Sequence, residues 1–147
     1  MNILYTILVI LLAISISNAQ TDAPNYQIEK ACLNYLEGFY KGDTTKIIAS
    51  IKPTLHKFGY WKNDQSGEYM EEGYMTYQQA IDYARGVSEN KRFAKADAPK
   101  KIEVLDVSNH IASAKITAWW GIDYVLLTRY KDKWMIEQVL WEGPLER

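Results

Sequence analysis

The stretch IASAKITAWW, residues 111–120, alternates with a period of two. Ala112, Ala114, Ile116, Ala118 and Trp120 fall on one face, and Ser113, Lys115, Thr117 and Trp119 on the other. One apolar face and one polar face predict a half-buried strand in an antiparallel sheet. The run of small alanines leaves room on the buried face for helices or a ligand to approach. Three further segments, Ile102–Val107, Asp123–Tyr130 and Trp134–Trp141, are rich in β-branched and aromatic residues, as strands are. Short polar turns at Ser108-Asn109-His110, Gly121 and Lys131-Asp132-Lys133 separate them. The last third of the chain therefore predicts a four-stranded meander.

Upstream the period changes. Ile28, Cys32, Tyr35, Leu36 and Phe39 mark one face of a helix that starts near Asp22-Ala23-Pro24 and ends at Gly42. Asp43 can cap a second helix through Ile47, Ile48 and Ile51, which Lys52-Pro53 would close. Leu55–Trp61 and Glu68–Tyr74 read as strands around the turn formers Asn63–Gly67. Thr76-Tyr77-Gln78-Gln79 has the form of a capping box, opening a third helix through Ala80, Ile81, Ala84 and Val87; Ser88–Lys100 reads as loop. Three helices on one face of a long curved antiparallel sheet make an α+β fold, with a conical cavity at the open end of the sheet.

The chain has 147 residues, 48% apolar and 24% charged, enough for one domain and ordinary for a globular one. Its net charge of −1 gives no clustered cationic surface for nucleic acid or anionic membrane. Residues Ile3–Ile16 carry no charge and are too short for a bilayer core, which needs roughly 20 residues. Ser17-Asn18-Ala19 follows with small residues at the cleavage positions. The reading is a signal peptide over 1–19, a single domain over 20–147, and a periplasmic or secreted protein with no membrane anchor.

The order of elements and four local motifs resemble the nuclear transport factor 2-like superfamily, and within it the "putative lumazine-binding" family of exported bacterial proteins. The motifs are Tyr35-Leu36-Glu37-Gly38-Phe39-Tyr40-Lys41-Gly42-Asp43, Thr54-Leu55-His56-Lys57, Ile122-Asp123-Tyr124-Val125-Leu126-Leu127 and Asp132-Lys133-Trp134-Met135-Ile136. The resemblance spans about residues 25–142. It implies a cone-shaped fold and a homodimer through the outer face of the sheet. The family pattern usually places Pro directly after the His, where this chain has Lys57.

Two groups could carry acid–base chemistry. His56 opens a strand expected to line the cone and can exchange a proton near neutral pH; alternatively it only fixes the helix-to-strand turn. Asp123 could act as a base in an apolar cavity or stand at a turn on the solvent side. It cannot share a cavity with Tyr124, since successive strand residues point to opposite faces. Asp82 on the third helix could face either way. The aromatic residues, 13% of the chain, are the broader signal. Tyr40, Tyr60, Trp61, Trp120 and Tyr124 are the expected lining of a site for a small hydrophobic or aromatic ligand, with a dimer face as the other use of such side chains. Trp119 and Trp120 should point opposite ways. Cys32 reads as a buried core thiol. No metal site and no cofactor are expected, because neither ligand spacing nor a phosphate-cradling glycine loop is present. The expected function is an exported small-ligand-binding domain. The alternative is a cofactor-independent isomerase, dehydratase or cyclase with His56 or an Asp as general base.

Overall fold

A computed structural model describes residues 23–145 of the chain. The expected signal peptide lies outside the described residues. Helix α1, Pro24–Lys41, buries Ile28, Cys32, Tyr35, Leu36 and Phe39 as the spacing predicts. It stops at Gly42, whose φ of 66° is a left-handed cap that a side chain would strain. A Cβ there would also lie 2.5 Å from the backbone nitrogen of Ser88. Helix α2, Thr44–Ser50, is capped by the Asp43 side chain, which accepts from the Lys46 N–H at 3.1 Å.

Strand β1, Ile51–Lys62, begins earlier than the sequence predicts and runs through Pro53. Pro53 is exposed, and the pairing of β1 is irregular between Ile51 and His56, so the missing N–H breaks no regular ladder there. Strand β2, Tyr69–Met75, pairs with β1 at one edge of the sheet. Helix α3, Tyr77–Glu89, carries the complete capping box of Thr76 and Gln79 and buries Ala80, Ile81, Ala84 and Val87.

The meander follows as expected: β3 (Lys101–Val107), β4 (Ile111–Ala118), β5 (Gly121–Tyr130) and β6 (Lys133–Gly143) pair antiparallel in order. Lys131 and Asp132, both at positive φ, form the two-residue β5–β6 turn. One expectation fails. The six strands lie in the order β2-β1-β6-β5-β4-β3, and β1 runs parallel to β6, so the sheet is mixed. Alternation within a strand fixes its faces, not the direction of a partner distant in sequence.

Bulges curl the sheet. Leu105 in β3 and Glu137 in β6 are extra residues opposite continuous neighbours, and β2 shifts register against β1 beyond Lys57. The concave side buries Ala112, Ala114, Ile116 and Ala118 of β4 and Val125 and Leu127 of β5 in one core with α1. Short alanine side chains let the helix lie close to the strands.

Candidate functional site

Period-two alternation decides what each strand contributes. On β1, Leu55, Lys57 and Gly59 are buried while His56, Phe58 and Tyr60 are exposed. On β5, Asp123 and Val125 are buried while Tyr124 and Leu126 are exposed. The concave side thus receives Lys57 from one strand and Asp123 from another, with Tyr35 of α1 above them.

Asp123 is completely buried and accepts three hydrogen bonds. Tyr35 Oη donates to Oδ2 at 2.7 Å, and Trp120 Nε1 donates to Oδ1 at 2.8 Å. Lys57 Nζ donates to Oδ2 at 3.4 Å, closing a buried ion pair. The Lys57 ammonium also lies 5.7 Å from the ring centre of Tyr35, 5.9 Å from that of Trp120 and 5.2 Å from that of Trp141. Burial pulls its pKa below the ordinary lysine value of 10.5, and the charge of Asp123 works against that shift. Tyr35 is held well above the ordinary tyrosine value, first by burial and then by the Asp123 charge and hydrogen bond.

In front of this cluster lies a cavity of about 500 Å³. Its walls are Trp61, Trp119, Trp120, Trp141, Phe39, Tyr83, Met75 and Val87, with Lys57, Arg92 and Glu72 as the charged groups. Gly59 makes this wall possible. A Cβ on it would lie 2.0 Å from the Trp141 carbonyl oxygen and 2.6 Å from the indole, so only glycine lets that ring lie across β1. Trp61 and Trp141 face each other at 6.1 Å between ring centres, and Trp119 meets Trp120 edge to face at 5.8 Å. An apolar recess with a few fixed polar groups is the form of a small-molecule site.

The expected site residues divide. Trp61, Trp120 and Asp123 belong to the cavity and its supporting cluster. Trp119 joins Trp120 at the wall, contrary to the opposite-face expectation, because β4 ends at Ala118 and both tryptophans occupy the turn. Tyr40 is buried behind the wall, where its hydroxyl donates to the Pro99 carbonyl and accepts from the Trp119 N–H at 2.8 Å. It anchors two loops to α1. Tyr60 and Tyr124 stand on the convex face, 43% and 53% exposed, outside the cavity. His56 is there too, its ring 4.9 Å from that of Tyr74, so it cannot serve as a base in the cone. Asp82 is exposed and paired with Arg85 at 2.6 Å. Lys57 and Tyr35 were not expected. Alternation from Leu55 would have found Lys57, since a buried Leu55 sends His56 out and Lys57 in.

A curled sheet closed by three helices, with a recess at its open end, defines the class: the α+β cone of nuclear transport factor 2-like proteins. Solved structures agree. A nuclear transport factor 2-like protein of unknown function from Silicibacter pomeroyi is 15% identical with a TM-score of 0.61, over 85% of this chain and 96% of that one. One from Shewanella baltica is 19% identical with a TM-score of 0.59, over 82% and 94%. A protein from Streptomyces avermitilis described as "a putative dehydratase from the NTF2-like family" is 11% identical with a TM-score of 0.53, over 84% and 100%. At these identities the likeness establishes the fold alone. Residues 23–142 match the family described as "Putative lumazine-binding", and the chain belongs to it. No curated protein sequence matches the chain.

Proposed function

We propose that the cavity binds a small planar molecule whose ring lies between the tryptophans and whose carboxylate or carbonyl oxygen accepts from Lys57. The observation that carries this reading is Lys57 itself. Of its three N–H donors, one reaches Asp123 at 3.4 Å. A buried ammonium at the wall of a cavity gains from an acceptor that a ligand brings. Arg92 adds positive charge to the same wall and Glu72 offsets it there, so Lys57 is the group that selects the ligand oxygen. Membership of a family named for lumazine binding and the aromatic walls support the same class of ligand.

The binding reading is favoured over an Asp or His general base. His56 is on the other face, and the Asp123 oxygens are covered by Tyr35, Trp120 and Lys57. We further propose that the protein is exported, on the apolar run and small residues of 1–19, and that a second copy packs on the convex face. Phe58, Tyr60, Tyr124, Leu126 and Leu140 are exposed there, and apolar groups gathered on one surface mark an interface.

The test is tryptophan fluorescence titration with 2-naphthoate and with the cation 2-naphthylmethylammonium. The anion is expected to bind at least about tenfold more tightly, a preference of roughly 1.4 kcal/mol. Lys57→Met should erase the preference, and His56→Ala should leave it intact. Equal binding of the two probes to the wild type would sink the reading.

A further inference from the structure

Resting on that binding reading, we propose that Lys57 captures carbonyl compounds covalently: an aromatic aldehyde or ketone entering the cavity condenses with the Nζ amine to give an imine. The geometry supplies what such a reaction needs. The amine stands at the wall of a recess large enough for a bicyclic ring, so the carbonyl carbon of a stacked ligand is brought to it without a search. Three aromatic rings surround Nζ at 5.2–5.9 Å and keep water from solvating it fully. A lysine desolvated in an apolar pocket is a nucleophile near neutral pH, and the downward pull of burial on Lys57 agrees with that.

The neighbouring carboxylate completes the arrangement. Asp123 Oδ2 lies 3.4 Å from Nζ and is itself held by Tyr35 and Trp120, so it fixes where the amine stands, and the ammonium gives up its proton to water before it reacts. The Nζ lone pair then attacks the carbonyl carbon, a C–N bond forms and the π electrons move to oxygen. Transfer of a proton from nitrogen to that oxygen gives the carbinolamine. Loss of its hydroxyl with one further proton as water leaves the C=N bond. One amine and one carbonyl yield one imine and one water, and no oxidant or reductant takes part. The other described lysines lie elsewhere, outside the cavity lining.

The experiment is reductive trapping of the intact protein with 2-naphthaldehyde and cyanoborohydride, followed by peptide mapping. Lys57→Arg, which keeps the cation opposite Asp123 but cannot form an imine, is carried alongside. The expected result is one dominant adduct on Lys57, formed at least about tenfold faster than on any other lysine, as an activated amine requires. The rate should rise with pH as the ammonium is deprotonated. Lys57→Arg should lose the dominant adduct, and the wild-type protein should bind 2-naphthoate in a parallel titration. Adducts spread over surface lysines equally in wild type and Lys57→Arg would overturn the proposal. Such a spread with naphthoate bound by the wild type defeats the imine alone, whereas failure of the wild type to bind naphthoate defeats the site reading beneath it.

Discussion

On the concave side of the sheet the strands bury alanines, branched aliphatics and the Lys57–Asp123 ion pair. On the convex side the same strands carry His56, Phe58, Tyr60, Tyr124, Leu126 and Leu140, all exposed. The two sets are interleaved one residue apart: His56 beside Lys57, Asp123 beside Tyr124. Adjacent residues therefore meet opposite physics. Lys57 and Asp123 lose most of their hydration and hold each other in place, while His56 and Tyr124 keep solvent. A charge on the concave side is committed to a partner; a polar group on the convex side is free to be replaced.

Substitutions at neighbouring positions test that contrast. The largest effect is expected at Asp123→Ala, which strands Lys57 as a buried unpaired charge and leaves Tyr35 and Trp120 without their acceptor. It should cost about 3–5 kcal/mol in urea unfolding, whereas Tyr124→Ala should stay within about 0.5 kcal/mol when measured at concentrations where the protein is monomeric. Comparable losses at the two positions would erase the distinction between the faces. Next comes Ala114→Leu, which forces a larger side chain between β4 and α1 and should cost about 1–3 kcal/mol. Ser113→Leu, one residue away, should be near neutral by the same measurement.

The smallest effect sharpens the comparison from outside the sheet. Glu37 receives Lys46, with Lys41 at 3.4 Å and Lys100 at 3.6 Å, in a partly solvated cluster rather than a buried pair. The Lys46 hydrogen bond holds its carboxyl below the ordinary value of 4.5. A lowered folded pKa means stability present above pH 4.5 and lost as pH falls through the folded value. Glu37→Gln should thus cost up to about 1 kcal/mol at pH 7, and that difference should fade on acidification. Cys32 adds a check on the core: burial pushes its thiol up to about 12, so it should resist thiol reagents until the protein is unfolded.

Much of the fold was legible locally. The helical stripe of α1, the Asp43 and Thr76 caps, the Gly42 stop and the four-strand meander all follow from periods of 3.6 and 2 and from turn residues, because each depends on neighbours in sequence. The aromatic character of the recess was legible too, and so was the opposition of Asp123 and Tyr124. The site itself was less so. His56 drew attention as the titratable residue, yet the buried Leu55 sets the phase of β1 and turns His56 outward. Lys57, noticed only as the residue standing where the resembling family has Pro, is the one that enters the cone.

The sequence by itself determined the elements, most of their ends and, within the strands, which residues share a face, since these rest on contacts within a few residues. Tertiary structure decided the rest: the parallel pairing of β1 with β6, the bulges at Leu105 and Glu137, and the meeting of Tyr35, Lys57, Trp120 and Asp123. Those residues belong to a helix, two strands and a turn, and only the packing that excludes water from between them makes one charged cluster of the four.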